Sequence, residues 1–346
     1  MQQLLYKVKT LKPRNPNRAT HLFGGKASGI LNWNDIKYPH WYKIYKRLLG
    51  NYWQSDEINM SSDVKQFPTL SKRDRDTFLK IISLLATFDS SQTRTILLTS
   101  LYATDPSVQA ILAVIAQQEA VHNESYSSIL SSIVPLNKQN EAFEIGRKDP
   151  ILLKRNQKLM EIYNQVVDTP TIENIVRTLV YSTLLEGLFF YSGFAFFYHL
   201  ARRNKMIGTS TMISYINRDE LEHGRFISEL IRATLAERTE LNTVEFVNWI
   251  YTSYQEAVDL EIEWSNYVLG HVTGIDLDEM AGFIKCRANK MLRMMRLAEI
   301  YPAYTENPMK WIRAYVDNFD DTKTDFFEQK SRTYTKVSSL NGFDEL

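Results

Sequence analysis

QQEAVHNESY (117–126) and INRDELEHGRF (216–226) each place a glutamate three residues before a histidine: Glu119 with His122, and Glu220 with His223. In a helix, positions i and i+3 lie on one face a turn apart, so each pair can aim both side chains at one ion. Taken singly, a Glu-x-x-His turn usually means a surface ion pair or a satisfied core histidine. Here two such turns occur in a chain with only six histidines, and each is preceded by an acid in a strongly apolar stretch. Asp89 sits in KIISLLATFDSSQ (80–92), 30 residues before Glu119, and Glu186 sits in STLLEGLFFYSGF (182–194), 34 residues before Glu220. A carboxylate among Leu and Phe side chains is costly to bury unless paired or coordinated. The order acid, Glu-x-x-His therefore repeats across two helix pairs. The sum, Asp89, Glu119, His122, Glu186, Glu220 and His223, is the ligand set of ferritin-like bundles that hold two iron or two manganese ions. Hard oxygen donors with two imidazoles suit those metals better than zinc or magnesium.

Working outward, the chain reads as all-α: a ferritin-like helical bundle with additional long helices and the metal site in its core. Glycine (13) and proline (10) are scarce among 346 residues, which suits long helices with few tight turns. Helices are expected near 38–49, 71–103, 106–134, 139–147, 150–167, 170–203, 209–237, 243–269, 276–300 and 308–318. Ser71 with Asp74, Asp105-Pro106 and Thr169-Pro170 mark three of the starts, and Thr209 or Ser210 a fourth. One helical domain spans 1–329, with a loosely structured arm to about residue 31. A polar stretch, 330–346, forms a tail whose spaced apolar residues, Tyr334 among them, suit docking on a partner.

Composition narrows the function classes. Lys+Arg and Asp+Glu nearly cancel, 41 against 40, so nothing points to nucleic acid or an acidic membrane surface. Thr178 to Ala201 is long and apolar enough to span a bilayer, but Glu186 inside it would cost roughly 2.5 kcal/mol or more there. A helix buried within a bundle is the better expectation, and no membrane association is expected. The N-terminus shows no signal peptide. The single cysteine, Cys286, cannot form an intrachain disulfide, which fits a reducing, cytoplasmic setting, and it rules out dithiol chemistry within this chain.

Tyr126 follows His122 by four residues, about 6 Å along the same helix face. Phe190 and Phe194, at i+4 and i+8 from Glu186, and Ile216, one turn before Glu220, can face the same apolar pocket. A phenol beside an oxidising metal pair in such a pocket could form a long-lived radical. With LATFDSSQ, QEAVHNESY, LLEGLFFYSGF and INRDELEH in combination, the sequence resembles the small, radical-generating subunit of class I ribonucleotide reductases, from the Trp33 segment through the last long helix and in the tail. The resemblance implies that Glu119 and Glu220 bridge the two metals, that Tyr126 is the radical tyrosine, and that Phe190, Phe194 and Ile216 shelter it. It also implies a radical-transfer route through Trp53 and Asp219 to the histidine His122, with Tyr334 as the tail's relay tyrosine. A separate large subunit, a homodimer and a flavoprotein activator are its implied partners. Two other readings stay open at this point: a di-metal oxidase without a reductase partner, and a ferritin-like metal store.

Overall fold

The computed structural model describes residues 4–316; Tyr334 and the rest of the 330–346 tail lie outside them. Among the described residues every regular element is helical, and β pairing is confined to the isolated bridges Leu4–Thr171 and Phe23–Ala103. In chain order the α-helices are α1 (Trp41–Gly50), α2 (Ser61–Gln66), α3 (Lys72–Tyr102), α4 (Pro106–Ile133), α5 (Leu136–Lys148) and α6 (Pro150–Asp168). There follow α7 (Ile172–Leu184), α8 (Tyr191–Ala201), α9 (Ile207–Glu237), α10 (Val244–Leu269), α11 (Leu277–Met294) and α12 (Arg313–Val316). The all-α bundle expected from the sequence is thus observed. Helices α3 and α4 pack along their lengths, α9 lies against α7, α8 and α4, and α6, α10 and α11 close the outside.

Local side chains cap six of the twelve α-helices among the described residues. Ser71 accepts from the Asp74 amide, and Asp105 from the Ser107 amide ahead of Pro106 at the first helical position. Two starts depart from expectation. The cap of α7 is Thr171, accepting from Asn174, so Pro170 precedes the helix and does not open it. Helix α9 starts at Ile207 because a distant acid caps it: buried Asp63 accepts from the Gly208 and Thr209 amides at 3.0 and 2.7 Å and from the Thr209 hydroxyl at 2.8 Å. Its carboxylate satisfies amides that no local side chain reaches. At the other end of the chain, α11 stops at Met294 and does not run to residue 300; Arg296 adopts a left-handed φ of 60° just beyond. The N-terminal arm has no helix, yet Leu22 and Phe23 are buried in the core and its backbone bonds to Pro170 and Leu101.

The long apolar run expected at 170–203 is interrupted. Leu185–Phe189 forms a π-helical turn between α7 and α8, and Glu186 lies in it. Such a widened turn loosens the regular carbonyl-to-amide ladder. Here two buried arginines from other helices accept the load: Arg287 Nε donates to the Gly187 carbonyl at 2.9 Å, and Arg155 Nη2 to the Phe189 carbonyl at 2.7 Å. Arg155 is neutralised by buried Glu261, which Ser192 also contacts, and its guanidinium lies 4.8 and 4.6 Å from the ring centres of Phe88 and Phe189. The stretch Ile172–Ala201 is long and apolar enough to cross a membrane, and an apolar 18-residue segment within it is wholly buried inside the bundle.

Candidate metal centre

Helices α3, α4 and α9 and the π turn each send carboxylates into one sealed core. Asp89 comes from α3, Glu119 and His122 from α4, Glu186 from the π turn, and Glu220 and His223 from α9; all six are fully buried. Their donor atoms fall into two groups: Asp89, Glu119 and His122 in one, Glu119, Glu186, Glu220 and His223 in the other. All six residues singled out from the sequence therefore meet at one place.

The two glutamates of the Glu-x-x-His turns lie between the histidines. Glu220 puts one oxygen 3.1 Å from His122 Nδ1 and the other 2.9 Å from His223 Nδ1. Glu119 does the same, at 3.5 and 3.1 Å. Each of these carboxylates thus lies between the two histidines, with one oxygen toward each. The far nitrogens of both rings are occupied, which aims Nδ1 inward. His122 Nε2 lies 3.3 Å from Asp219 Oδ2, and His223 Nε2 lies 3.0 Å from Gln118 Oε1. Outer partners of this kind set tautomer and ring orientation in metal sites.

The donor set fits a pair of divalent ions on two counts. Buried polar atoms normally find hydrogen-bond partners. Yet both oxygens of Asp89, both of Glu119, Glu186 Oε2, Glu220 Oε1 and His122 Nδ1 make no well-aligned hydrogen bond and have chiefly one another as polar neighbours. Charge is the second count: four buried carboxylates carry a formal charge that two divalent cations would cancel, with the imidazoles neutral. Without the cations, protons must do this work. Burial first, then the charges of Glu119 and Glu220, pushes Asp89 well above the usual carboxylate range, and Glu186 rises for the same reasons. Burial alone would lower both histidines, but the surrounding carboxylates outweigh it and hold His122 and His223 well above the ordinary imidazole value. Glu220 moves the other way: burial opposes its charge, but His122, Glu186 and His223 hold it ionised far below the usual range.

Tyr126 is fully buried one turn beyond His122, and its hydroxyl faces the Asp89 carboxylate. Burial, then the neighbouring charges of Asp89 and Glu220, pushes its pKa well above 10.0, so the phenol keeps its proton. Phe190, Phe194 and Ile216 are fully buried in the same apolar core, the two phenylalanine rings stacked with centres 5.5 Å apart. On the other side of His122, Trp53 Nε1 donates to Asp219 Oδ2 at 2.8 Å, the same oxygen that meets His122. The Trp53 and His122 rings lie 6.2 Å apart and nearly parallel, and Arg218 contacts the second oxygen of Asp219 at 3.3 Å.

Four contributors escaped the reading of the sequence. Gln118 buttresses His223; Gln92 donates to Glu186 Oε1 at 2.5 Å; Arg155 and Arg287 secure the π turn. The two glutamines did leave a signal, since Gln118 adjoins Glu119 and Gln92 follows Asp89 by one helical turn. The arginines left none.

Comparison with known proteins identifies the family. The profile of the family described as "Ribonucleotide reductase, small chain" matches residues 30–308. A ribonucleoside-diphosphate reductase subunit beta of Halalkalibacterium halodurans is 46% identical over 347 residues, covering 100% of both chains. One from Treponema pallidum is 34% identical, covering 92% of each. The ribonucleotide reductase R2 subunit of Clostridium botulinum superposes with a TM-score of 0.88 at 33% identity, over 91% of this chain and 99% of that one. The chain belongs to the ribonucleotide reductase small-chain family, as a small subunit of ribonucleoside-diphosphate reductase.

Proposed function

We propose that this subunit stores an oxidising equivalent as a radical on Tyr126 and passes it to a large subunit, where ribonucleotides are reduced. The observation that carries the reading is the Tyr126 hydroxyl, fully buried against the Asp89 carboxylate among apolar side chains. Oxidising that phenol removes one electron and one proton, and Asp89 is the neighbouring carboxylate. Phe190, Phe194 and Ile216 keep water away from the ring. When bound, the metal pair supplies the oxidising power, drawing on dioxygen or on an oxidant delivered by a flavoprotein activator. Asp89, Glu119, His122, Glu186, Glu220 and His223 hold the pair, with Glu119 and Glu220 shared. The donor types suit iron and manganese equally.

Trp53 and Asp219 form the route outward. The indole N–H, the Asp219 carboxylate and the His122 imidazole make one hydrogen-bonded line from near the surface to the centre, along which an electron and a proton can move together. Tyr334, outside the described residues, is the proposed relay in the tail, and residues 330–346 the proposed docking segment for the large subunit. Membership of the family implies that large subunit and a dimer of this chain. The proposed setting is the cytoplasm.

The test is reconstitution of the metal-free protein with ferrous iron in air, or with manganese and a reduced flavoprotein, followed by electron paramagnetic resonance. Wild type should show a tyrosyl signal and support nucleotide reduction with a large subunit. Tyr126→Phe should bind metal normally and lose both. Retained reductase activity in that variant would exclude the radical role of Tyr126.

A further inference from the structure

Glu186 and Asp89 occupy matching places at the two ends of the centre, yet their surroundings differ. Asp89 faces the Tyr126 hydroxyl. Glu186 keeps only Oε2 free, because Oε1 accepts from Gln92 Nε2 at 2.5 Å. Gln92 is itself fully buried on α3, one turn beyond Asp89.

What fixes the amide is on its other side. Gln92 Oε1 accepts from the Tyr163 hydroxyl at 2.7 Å and lies 3.3 Å from the Ser182 hydroxyl, and those two hydroxyls are 3.1 Å apart. Tyr163 comes from α6 and Ser182 from α7, so three helices meet at this amide. Turning it over would set its carbonyl oxygen against a carboxylate oxygen at hydrogen-bond distance, a repulsive contact in a fully buried site. The two hydroxyls therefore orient the amide, and the amide in turn reserves one oxygen of Glu186.

We infer that Gln92, oriented by Tyr163 and Ser182, is a positioning residue that restricts Glu186 to metal binding through Oε2 alone. It makes the two ends of the centre unequal: the Gln92 amide holds one oxygen of Glu186, while Asp89 faces the Tyr126 phenol. The inference rests on the dinuclear reading of the site.

The experiment titrates metal-free, full-length protein with Co2+, following affinity by calorimetry and coordination by visible ligand-field absorption. Wild type should take up an ion in each of the two donor groups. Gln92→Leu should keep the ion at Asp89, Glu119 and His122 but bind the other about 10- to 100-fold more weakly, the usual effect of losing an outer hydrogen bond to a ligand. Its spectrum should shift as well, because Glu186 is then free to chelate through both oxygens. Tyr163→Phe, which keeps the ring and so the packing, should weaken the same ion by a smaller factor. The double variant should be no weaker than Gln92→Leu alone, because Tyr163 acts through the amide; a purely structural role would give independent, additive losses. Wild-type affinities and spectrum in Gln92→Leu, or additive losses in the double variant, would overturn the assignment. Wild type that binds fewer ions than the two groups provide would overturn the dinuclear reading itself.

Discussion

Loading the centre at neutral pH should expel protons, and the electrostatics bound their number. Asp89, Glu186, His122 and His223 all shift toward their protonated forms in the metal-free protein, the carboxyls by burial and the imidazoles by the carboxylates around them. Ligation requires each of the four bare. Two divalent ions should thus displace protons, up to about four, shared across the coupled cluster. Each released proton makes binding about 1.4 kcal/mol more favourable per pH unit, so loading of the pair gains up to about 5 kcal/mol per unit. That is roughly two decades in affinity for each ion. The stability of the metal-free fold has the opposite slope. All four groups have folded pKa values above their unfolded ones, near 4 for the carboxyls and 6.5 for the imidazoles. Their contribution is complete below those values and is lost as pH rises through the folded ones. Glu220, depressed, works in the other sense: its contribution is present above its unfolded value and disappears only in strong acid. The melting temperature of the metal-free protein should therefore fall as pH rises through the folded values of these four groups, while that of the loaded protein does not. The direct assay is calorimetric titration with Mn2+ at pH 7 in buffers of different ionisation enthalpy, whose slope is the proton count. Release of fewer than about one proton would refute the claim that protons balance the empty cluster.

Two further outcomes test how the π turn is held. A Cβ at Gly187 would lie 2.3 Å from Cγ and Sδ of buried Met291, so Gly187→Ala should destabilise the protein by about 1–3 kcal/mol in urea unfolding and weaken metal binding at Glu186; adding Met291→Ala should recover part of the loss, and an unperturbed single variant would remove this packing argument. Arg155→Met strands the buried Glu261 carboxylate and should cost about 3–5 kcal/mol, whereas pairing it with Glu261→Gln should recover much of that; equal losses in the single and double variants would show that the ion pair is not what matters.

The ligands were legible because their signal is local. Glu119 with His122, and Glu220 with His223, are one turn apart on single helices, and Asp89 and Glu186 stand out as acids within apolar runs. Helix periodicity converts such spacings directly into shared faces. Trp53 with Asp219 was named through resemblance to a family, and the direct hydrogen bond between them appears only in the folded chain. The tail, including Tyr334, stays an expectation from sequence.

What the sequence determined by itself was the helical class, the approximate span of each long helix and the six residues that could meet a metal. All of these depend on interactions within a few residues of chain. Tertiary structure alone decided the rest. The stretch LLEGLFF reads as ordinary helix, and it widens into a π turn where Arg155 and Arg287, from α6 and α11, bind its carbonyls. Helix α9 begins where Asp63, 145 residues before Gly208, caps it. Gln92 and Gln118 are unremarkable polar residues until the bundle brings Glu186 and His223 against them. A buried polar group takes the partner that packing supplies, and packing joins residues that the chain keeps far apart.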